Sequence, residues 1–280
     1  MVEAVLVPTD GSESARRSEG YAADVARAYG ASVHVVHVVD LVALGSVAEI
    51  DPAKREGHEL VEAAAERVAA RGVRVVRAVR TGVPAPVIRE YVAEASIDLI
   101  VMGTRGQSGL ERRLLGGVTK GVVRSASVPV MTVGPGADRP AHYPYRRLLV
   151  ATDGSDAALG AAEVGIDFAR TYEAGLDVLS VVHGRRSSGA IERIAAARDA
   201  VTEVERLAAE AGIEDVSPVI EYGIPHRTIT ASADRNGIDL VVLGAYGRTG
   251  IRRHVLGSVA ERVVRTAPVP VLTVRPRQDS

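Results

Sequence analysis

The sequence predicts an α/β chain built as two tandem copies of one domain, each an open five-stranded parallel sheet with helices on both faces. Three observations carry this. Short β-branched apolar runs alternate with longer helical stretches in the order βαβαβαβαβ, the pattern of parallel strands joined by right-handed crossovers. The order then recurs: Asp10 and Asp153 are 143 apart, while Gly82 and Gly223, Asp98 and Asp239, Gly103 and Gly244, and Val128-Pro-Val130 and Val269-Pro-Val271 are each 141 apart. So steady an offset, interrupted by a net loss of two residues, marks a tandem duplication. Finally, 280 residues at 46% hydrophobic supply apolar surface for two buried cores. The copies are expected over 1–136 and 147–280, with a Pro- and Gly-rich linker over 137–146.

The first copy opens with Ala4-Val-Leu-Val-Pro-Thr-Asp-Gly-Ser12, a strand running into a polar turn. Ser14 to Tyr29 repeats apolar residues at three- and four-residue spacing and predicts a helix with one apolar side. Ala31 to Val39 is rich in β-branched residues and predicts the second strand. A helix from about Ala53 to Ala70, a more polar strand over Val73 to Val79 and a helix opened by Pro84 follow, proline being tolerated in a first helical turn. The strand from Ile97 to Met102, a glycine-rich loop, a helix to about Ser125 and the strand Pro129 to Val133 complete the copy. The second repeats the plan through Leu148 to Ala151, Asp177 to Val182, Ala190 to Ala211, Val216 to Tyr222, Pro225 onward and Pro270 to Val274. Its segment after the second strand is shorter, so the two copies are expected to differ there.

The stretch with most chemical content is Gly244-Ala-Tyr-Gly-Arg-Thr-Gly-Ile-Arg-Arg-His-Val-Leu-Gly-Ser258, matched by Gly103-Thr-Arg-Gly-Gln-Ser-Gly-Leu-Glu-Arg-Arg-Leu-Leu-Gly-Gly117. Each lies between a buried strand and a helix start. Glycines allow close backbone approach and positive φ, and the first amides of a helix have no internal acceptor and sit at its positive end, so such a turn suits a phosphate. The bland alternative is a long surface turn, disfavoured by its recurrence in both copies. Gly103, Gly106, Gly109, Gly116 and Gly117 are the first copy's candidates, with Thr119 nearby. Gly244, Gly247, Arg248, Gly250, Gly257 and Ser258 are the second's. Asp10 and Asp153 follow the first strand of each copy. If strands one and four are neighbours, these carboxylates face the loops across the crevice where ligands bind in open parallel sheets. They also suit a turn or helix-cap role, and the two roles are compatible.

Several function classes drop out. Lys+Arg 34 against Asp+Glu 35, with 3% aromatics and no Trp, gives neither the basic footprint nor the stacking platforms of a nucleic-acid binder. No cysteine excludes disulfides and thiolate chemistry. His34 and His37, three apart on a strand, face opposite sides and cannot share a metal. Gly106-Gln-Ser-Gly109 is not a nucleophile elbow, and no P-loop Gly-x4-Gly-Lys-Ser/Thr is present. Arg112-Arg113 and Arg252-Arg253 could supply part of the missing lysine's charge, or be solvated faces. With no signal-like N-terminus and no apolar run approaching about 18 to 20 residues, a cytoplasmic protein without a membrane segment is expected.

The residues quoted above resemble the universal stress protein family over essentially the whole chain, as two fused domains. The resemblance implies a Rossmann-like domain of the adenine nucleotide alpha-hydrolase type. ATP-binding members carry Gly-x2-Gly-x9-Gly-Ser/Thr after the fourth strand and an Asp after the first. Gly244, Gly247, Gly257 and Ser258 match fully. Gly117 stands where Ser or Thr is usual, implying a weaker first site. The resemblance further implies adenine and ribose contacts at Pro8 and Val38 and at Ala151 and Val181, and Val-Pro-Val strands that pair domains, within the chain as a pseudo-dimer or between chains as a homodimer. Their alternative role is an edge strand in which proline blocks pairing. The expected ligand is ATP, or ADP or AMP, with Mg²⁺ as a possible companion. Slow ATP hydrolysis using Asp10 or Asp153, and a nucleotide-free scaffold, are the competing functions.

Overall fold

The computed structural model describes residues 2–106, 115–135, 137, 144–184, 189–247 and 256–275. Two compact units divide it, Met1–Val133 and Gly134–Ser280. The first runs β1 (Ala4–Pro8), α1 (Glu13–Tyr29), β2 (Ser32–Asp40), α2 (Ile50–Ala69), β3 (Arg74–Gly82), α3 (Pro84–Glu94), β4 (Leu99–Gly103), α4 (Gly117–Ser125) and β5 (Val130–Val133). The second runs β6 (Arg147–Ala151), α5 (Asp156–Tyr172), β7 (Gly175–Val182), α6 (Ala190–Glu210), β8 (Val216–Tyr222), α7 (Pro225–Arg235), β9 (Leu240–Gly244), α8 (Ser258–Thr266) and β10 (Val271–Val274). Strand order is β3-β2-β1-β4-β5 in the first unit and β8-β7-β6-β9-β10 in the second, parallel within each.

Burial follows this order. β1, β4, β6 and β9 sit mid-sheet, covered on both faces, so Val5, Leu6, Val7, Ile100, Val101, Leu148, Leu149, Val150, Leu240, Val241 and Val242 are wholly buried. Strands of this kind read as continuous apolar runs. β3, away from the middle, is half exposed, which explains its arginines.

Two expected boundaries shift for local reasons. α2 begins at Ile50, not near Ala53, because Pro52 falls in the first turn, where no amide needs an acceptor. β4 begins at Leu99 because Asp98 is used differently: its Oδ2 accepts from the amides of Glu3 at 2.8 Å and Ala4 at 3.0 Å, clasping the start of β1. Asp239 does the same for Arg146 at 2.7 Å and Arg147 at 3.1 Å. The recurring Ile-Asp-Leu is thus a strand clasp, satisfying amides at the sheet's margin.

Ser12 and Ser155 cap α1 and α5, accepting from Ala15 N–H at 3.2 Å and Ala158 N–H at 3.3 Å. At the other end α1 closes on Gly30 at φ 70°, whereas α5 closes on Glu173 at φ 53°. A left-handed residue bearing a Cβ is strained, and glycine relieves that at some entropic cost. Glu173→Gly is therefore expected to stabilise the second unit by about 0.5–1 kcal/mol. The readout is a higher urea midpoint with unchanged slope.

Candidate functional site

In each unit the chain order reverses between the central strand and its neighbour, β1 and β4 or β6 and β9, which opens a crevice beyond their C-terminal ends. β2 outruns β1. Thr9 N–H donates to Val36 C=O at 2.8 Å just past the end of β1, and β2 continues to Asp40. Alternate residues of a parallel strand turn their amide and carbonyl to the same side, so Val38 presents both to the space beyond β1. Thr152 N–H to Leu179 C=O at 2.9 Å sets up the same geometry for Val181.

The two aspartates stand at this crevice. Asp10 Oδ1 accepts from Ser12 N–H at 3.0 Å, and Asp153 Oδ1 from Ser155 N–H at 3.1 Å and Ser155 Oγ–H at 2.6 Å. Each carboxylate thus holds its own turn with one oxygen, while the other lies against the glycine loop. A Cβ added to Gly106 would fall 2.6 Å from Asp10 Oδ2, and one on Gly247 closer still to Asp153 Oδ2. Turn residue and crevice carboxylate are the same group.

At the described positions of these loops glycine does not serve a positive φ, and at Gly103, Gly106, Gly244 and Gly247 it serves close approach. The left-handed positions of the crevice are Gly11 at 75° and Gly154 at 74°, just after the aspartates, whereas Gly103, Gly106, Gly116, Gly117, Gly244, Gly247 and Gly257 all lie outside that region. The expectation of close approach holds at several of these positions and that of positive φ is corrected at the described ones, Gly109 and Gly250 lying outside the described residues. At Gly103 a Cβ would meet the Ser14 side chain and backbone, and at Gly244 the backbone of Ala157 and Ala158.

The ends of each loop are tied together by a backbone hydrogen bond, Gly116 N–H to Thr104 C=O at 2.9 Å and Gly257 N–H to Ala245 C=O at 2.8 Å. These two amides are therefore satisfied internally. Intrahelical bonding begins with Lys120 N–H to Gly116 C=O and Glu261 N–H to Gly257 C=O. Three amides per helix, those of Gly117, Val118 and Thr119 and of Ser258, Val259 and Ala260, have no acceptor within the helix and border the crevice. Thr119 gives its hydroxyl proton to Gly103 C=O at 2.8 Å, so that proton is not offered to a ligand. Gly109, Arg248 and Gly250, with Arg112, Arg113, Arg252, Arg253 and His254, lie outside the described residues.

A cavity of about 700 Å³ in the first unit is bordered by Pro8, Asp10, Val38, Gly103, Gly106, Gly116, Gly117 and Thr119. One of about 250 Å³ in the second is bordered by Ala151, Asp153, Val181, Gly244, Gly247, Gly257 and Ser258. The fold brings every described candidate to one of these two cavities. Sequence reasoning missed His37, Asp40, Leu44, Glu56, Leu60 and Ile88 in the first, and Pro225, Ile229 and Tyr246 in the second. Pro84 and Pro225, matched by the repeat and each opening a helix, were the available signal for α3 and α7.

Charge differs between the copies. Beside Pro225, burial and then the positive charges of Arg262, Arg227 and Arg265 hold the His226 imidazole below its ordinary range. The repeat offset puts Ala85, Gly121, Pro86 and Arg124 at the corresponding positions of the first unit. His34 is also lowered, by burial and then by Arg74, but its ring bonds Tyr91 of α3 at 2.9 Å. His37 packs instead against Gly57 of α2, so the two histidines do not converge. Among the described residues no three His, Asp or Glu side chains gather into a metal site, and no helix is long and apolar enough to cross a membrane.

The profile of the universal stress protein family matches residues 1–134 and again 144–275. A universal stress protein of Methanocaldococcus jannaschii is 36% identical over 141 residues, covering 47% of this chain and 82% of that protein. One from Mycolicibacterium smegmatis is 33% identical over 195 residues, covering 66% and 64%. Among solved structures, a universal stress protein from Archaeoglobus fulgidus aligns over 98% of both chains at 26% identity and a TM-score of 0.78. With both halves matched, this chain belongs to the universal stress protein family.

Proposed function

We propose that the chain is a nucleotide-dependent regulator that binds ATP, or ADP or AMP, in each unit. One observation carries the reading: in both copies a carboxylate, a close-packed glycine loop and three helix-start amides border one cavity. The amides, at the positive end of a helix, suit a phosphate tail. Val38 and Val181 offer a donor and an acceptor side by side, the pair that an adenine edge complements. Asp10 and Asp153 suit ribose hydroxyls. The absence of a Cβ on Gly106 and Gly247 leaves room for a ligand beside those carboxylates. A Mg²⁺ ion would arrive with the phosphates, which share its coordination with the several waters such an ion keeps. Occupancy would act by favouring one arrangement of the two domains, or of paired chains, over another, since a ligand shifts an equilibrium only by differential affinity.

The direct test is acid release of nucleotide from freshly purified chain, followed by calorimetric titration with ATP. Adenine nucleotide released, or heats saturating at two per chain, is expected. Its absence in both experiments would leave the scaffold reading. Timed phosphate release, with Gly247→Glu as control, tests hydrolysis.

Gly117 supplies a second check. Nothing lies within 4 Å of the Cβ it lacks, and it is the first residue of α4, as Ser258 is of α8. Gly117→Ser should therefore fit without strain and add a hydroxyl to the cradle, tightening nucleotide binding in the first unit by about fivefold to tenfold. Unchanged affinity would show that this hydroxyl is not directed at the ligand.

A further inference from the structure

The cavities differ most beyond the ends of β2 and β7. No residue of α6 borders the second, whereas the first is extended by Ala43 and Leu44, after β2, and by Ala53, Glu56 and Leu60 of α2. Those three α2 residues, spaced three and four apart, share one helical face. Gly57 lets that face come down on the sheet: a Cβ there would fall 2.6 Å from His37 Cδ2. His37 is itself held by a 2.8 Å bond between its Nδ1 and Thr9 C=O. The added compartment is therefore anchored by described residues, in a cavity of about 700 Å³ against about 250 Å³ in the second unit.

Its chemistry is unlike that of the phosphate end. Ala43, Leu44, Ala53 and Leu60 make apolar walls. Asp40 spends one oxygen on Val42 N–H at 3.0 Å, and Glu56 makes no ion pair among the described residues. Arg105 is the one Arg or Lys among the described residues bordering this cavity; it follows β4, beside Gly106 in the chain, and forms no ion pair with Asp40 or Glu56 among the described residues. Two carboxylates with aliphatic walls and no Lys or Arg ion pair among the described residues complement a positively charged, partly aliphatic molecule.

We propose that the first unit, and not the second, carries a subsite for an alkylammonium ligand, its aliphatic part against Leu44, Ala53 and Leu60 and its ammonium groups on Asp40 and Glu56. The subsite adjoins the proposed nucleotide site but does not require a nucleotide.

The test is calorimetric titration of the nucleotide-free full chain with cadaverine, using pentanediol as the uncharged isostere. Saturable binding of one cadaverine per chain is expected, with pentanediol at least about tenfold weaker. Glu56→Gln, at an exposed position that will not disturb folding, should weaken cadaverine about tenfold. Ala53→Phe should fill the compartment and abolish binding, with circular dichroism reporting its fold. Gly247→Glu, in the other unit, should bind cadaverine as the unmodified chain does. Equal binding of pentanediol, indifference to Glu56→Gln, or loss of binding in Gly247→Glu would each overturn the assignment. Because no nucleotide is present, failure here leaves the ATP titration unaffected, and failure there leaves this one unaffected.

Discussion

Gly247→Glu is expected to remove nucleotide binding from the second unit while leaving that unit folded. Among the described residues the only atoms within 4 Å of the missing Cβ are those of the Asp153 carboxylate, the end of an exposed side chain that can yield by loosening its hydrogen bonds to Ser155. The substituent would instead project into the crevice, between Asp153 and the amides of Ser258, Val259 and Ala260. A second carboxylate there repels a polyphosphate and competes for its donors. Charge-assisted hydrogen bonds of this type are each worth about 1.5–3 kcal/mol, so losing two of them weakens binding more than a hundredfold. Equilibrium dialysis with labelled ATP should show stoichiometry falling from two per chain to one, with an unchanged melting profile. Two tight sites persisting in the variant would show that the second nucleotide does not lie in this crevice.

Three residues earlier the same kind of change should do the opposite, harming the fold before the ligand. A Cβ on Gly244 would lie 2.8 Å from Ala157 C, 2.9 Å from its carbonyl oxygen and 3.0 Å from Ala158 N. These are backbone atoms of the first turn of α5 and cannot swing aside. Gly244→Ala must therefore push α5 away from β9, loosening a helix that buries Ala157, Ala158, Ala161, Ala162, Ile166 and Phe168. Overpacking of that sort costs about 3 kcal/mol. Urea unfolding should become biphasic, with the second unit melting early and the first unaltered. A single unshifted transition would mean that α5 yields without loss.

The contrast also marks what the sequence could and could not disclose. Repetition at a fixed offset made the domain plan, the strand count and the two glycine loops legible, because tandem copies of one pattern reinforce each other. The aspartates were legible as crevice residues once β1 and β4 were taken as neighbours. What the sequence did not disclose was the reason for each glycine: close approach to Ser14, to Ala157 or to a carboxylate looks the same in one dimension as a demand for left-handed backbone. Nor did it show that Gly116 and Gly257 spend their amides on the loop, or that Thr119 spends its hydroxyl on Gly103. Least legible were Glu56 and Leu60. They read as the charged and apolar sides of an ordinary amphipathic helix, and only the approach of Gly57 to His37 brings their face over the first cavity.

The backbone hydrogen bonds from Gly116 to Thr104 and from Gly257 to Ala245 have an engineering consequence. Because the two ends of each loop meet at nearly one point just past the end of β4 or β9, the described strand pairs of those strands all lie outside the loop. A protease cut between Thr104 and Gly116, or a circular permutant that begins there, should preserve the sheet of the first unit. A permutant opened inside β4 should not.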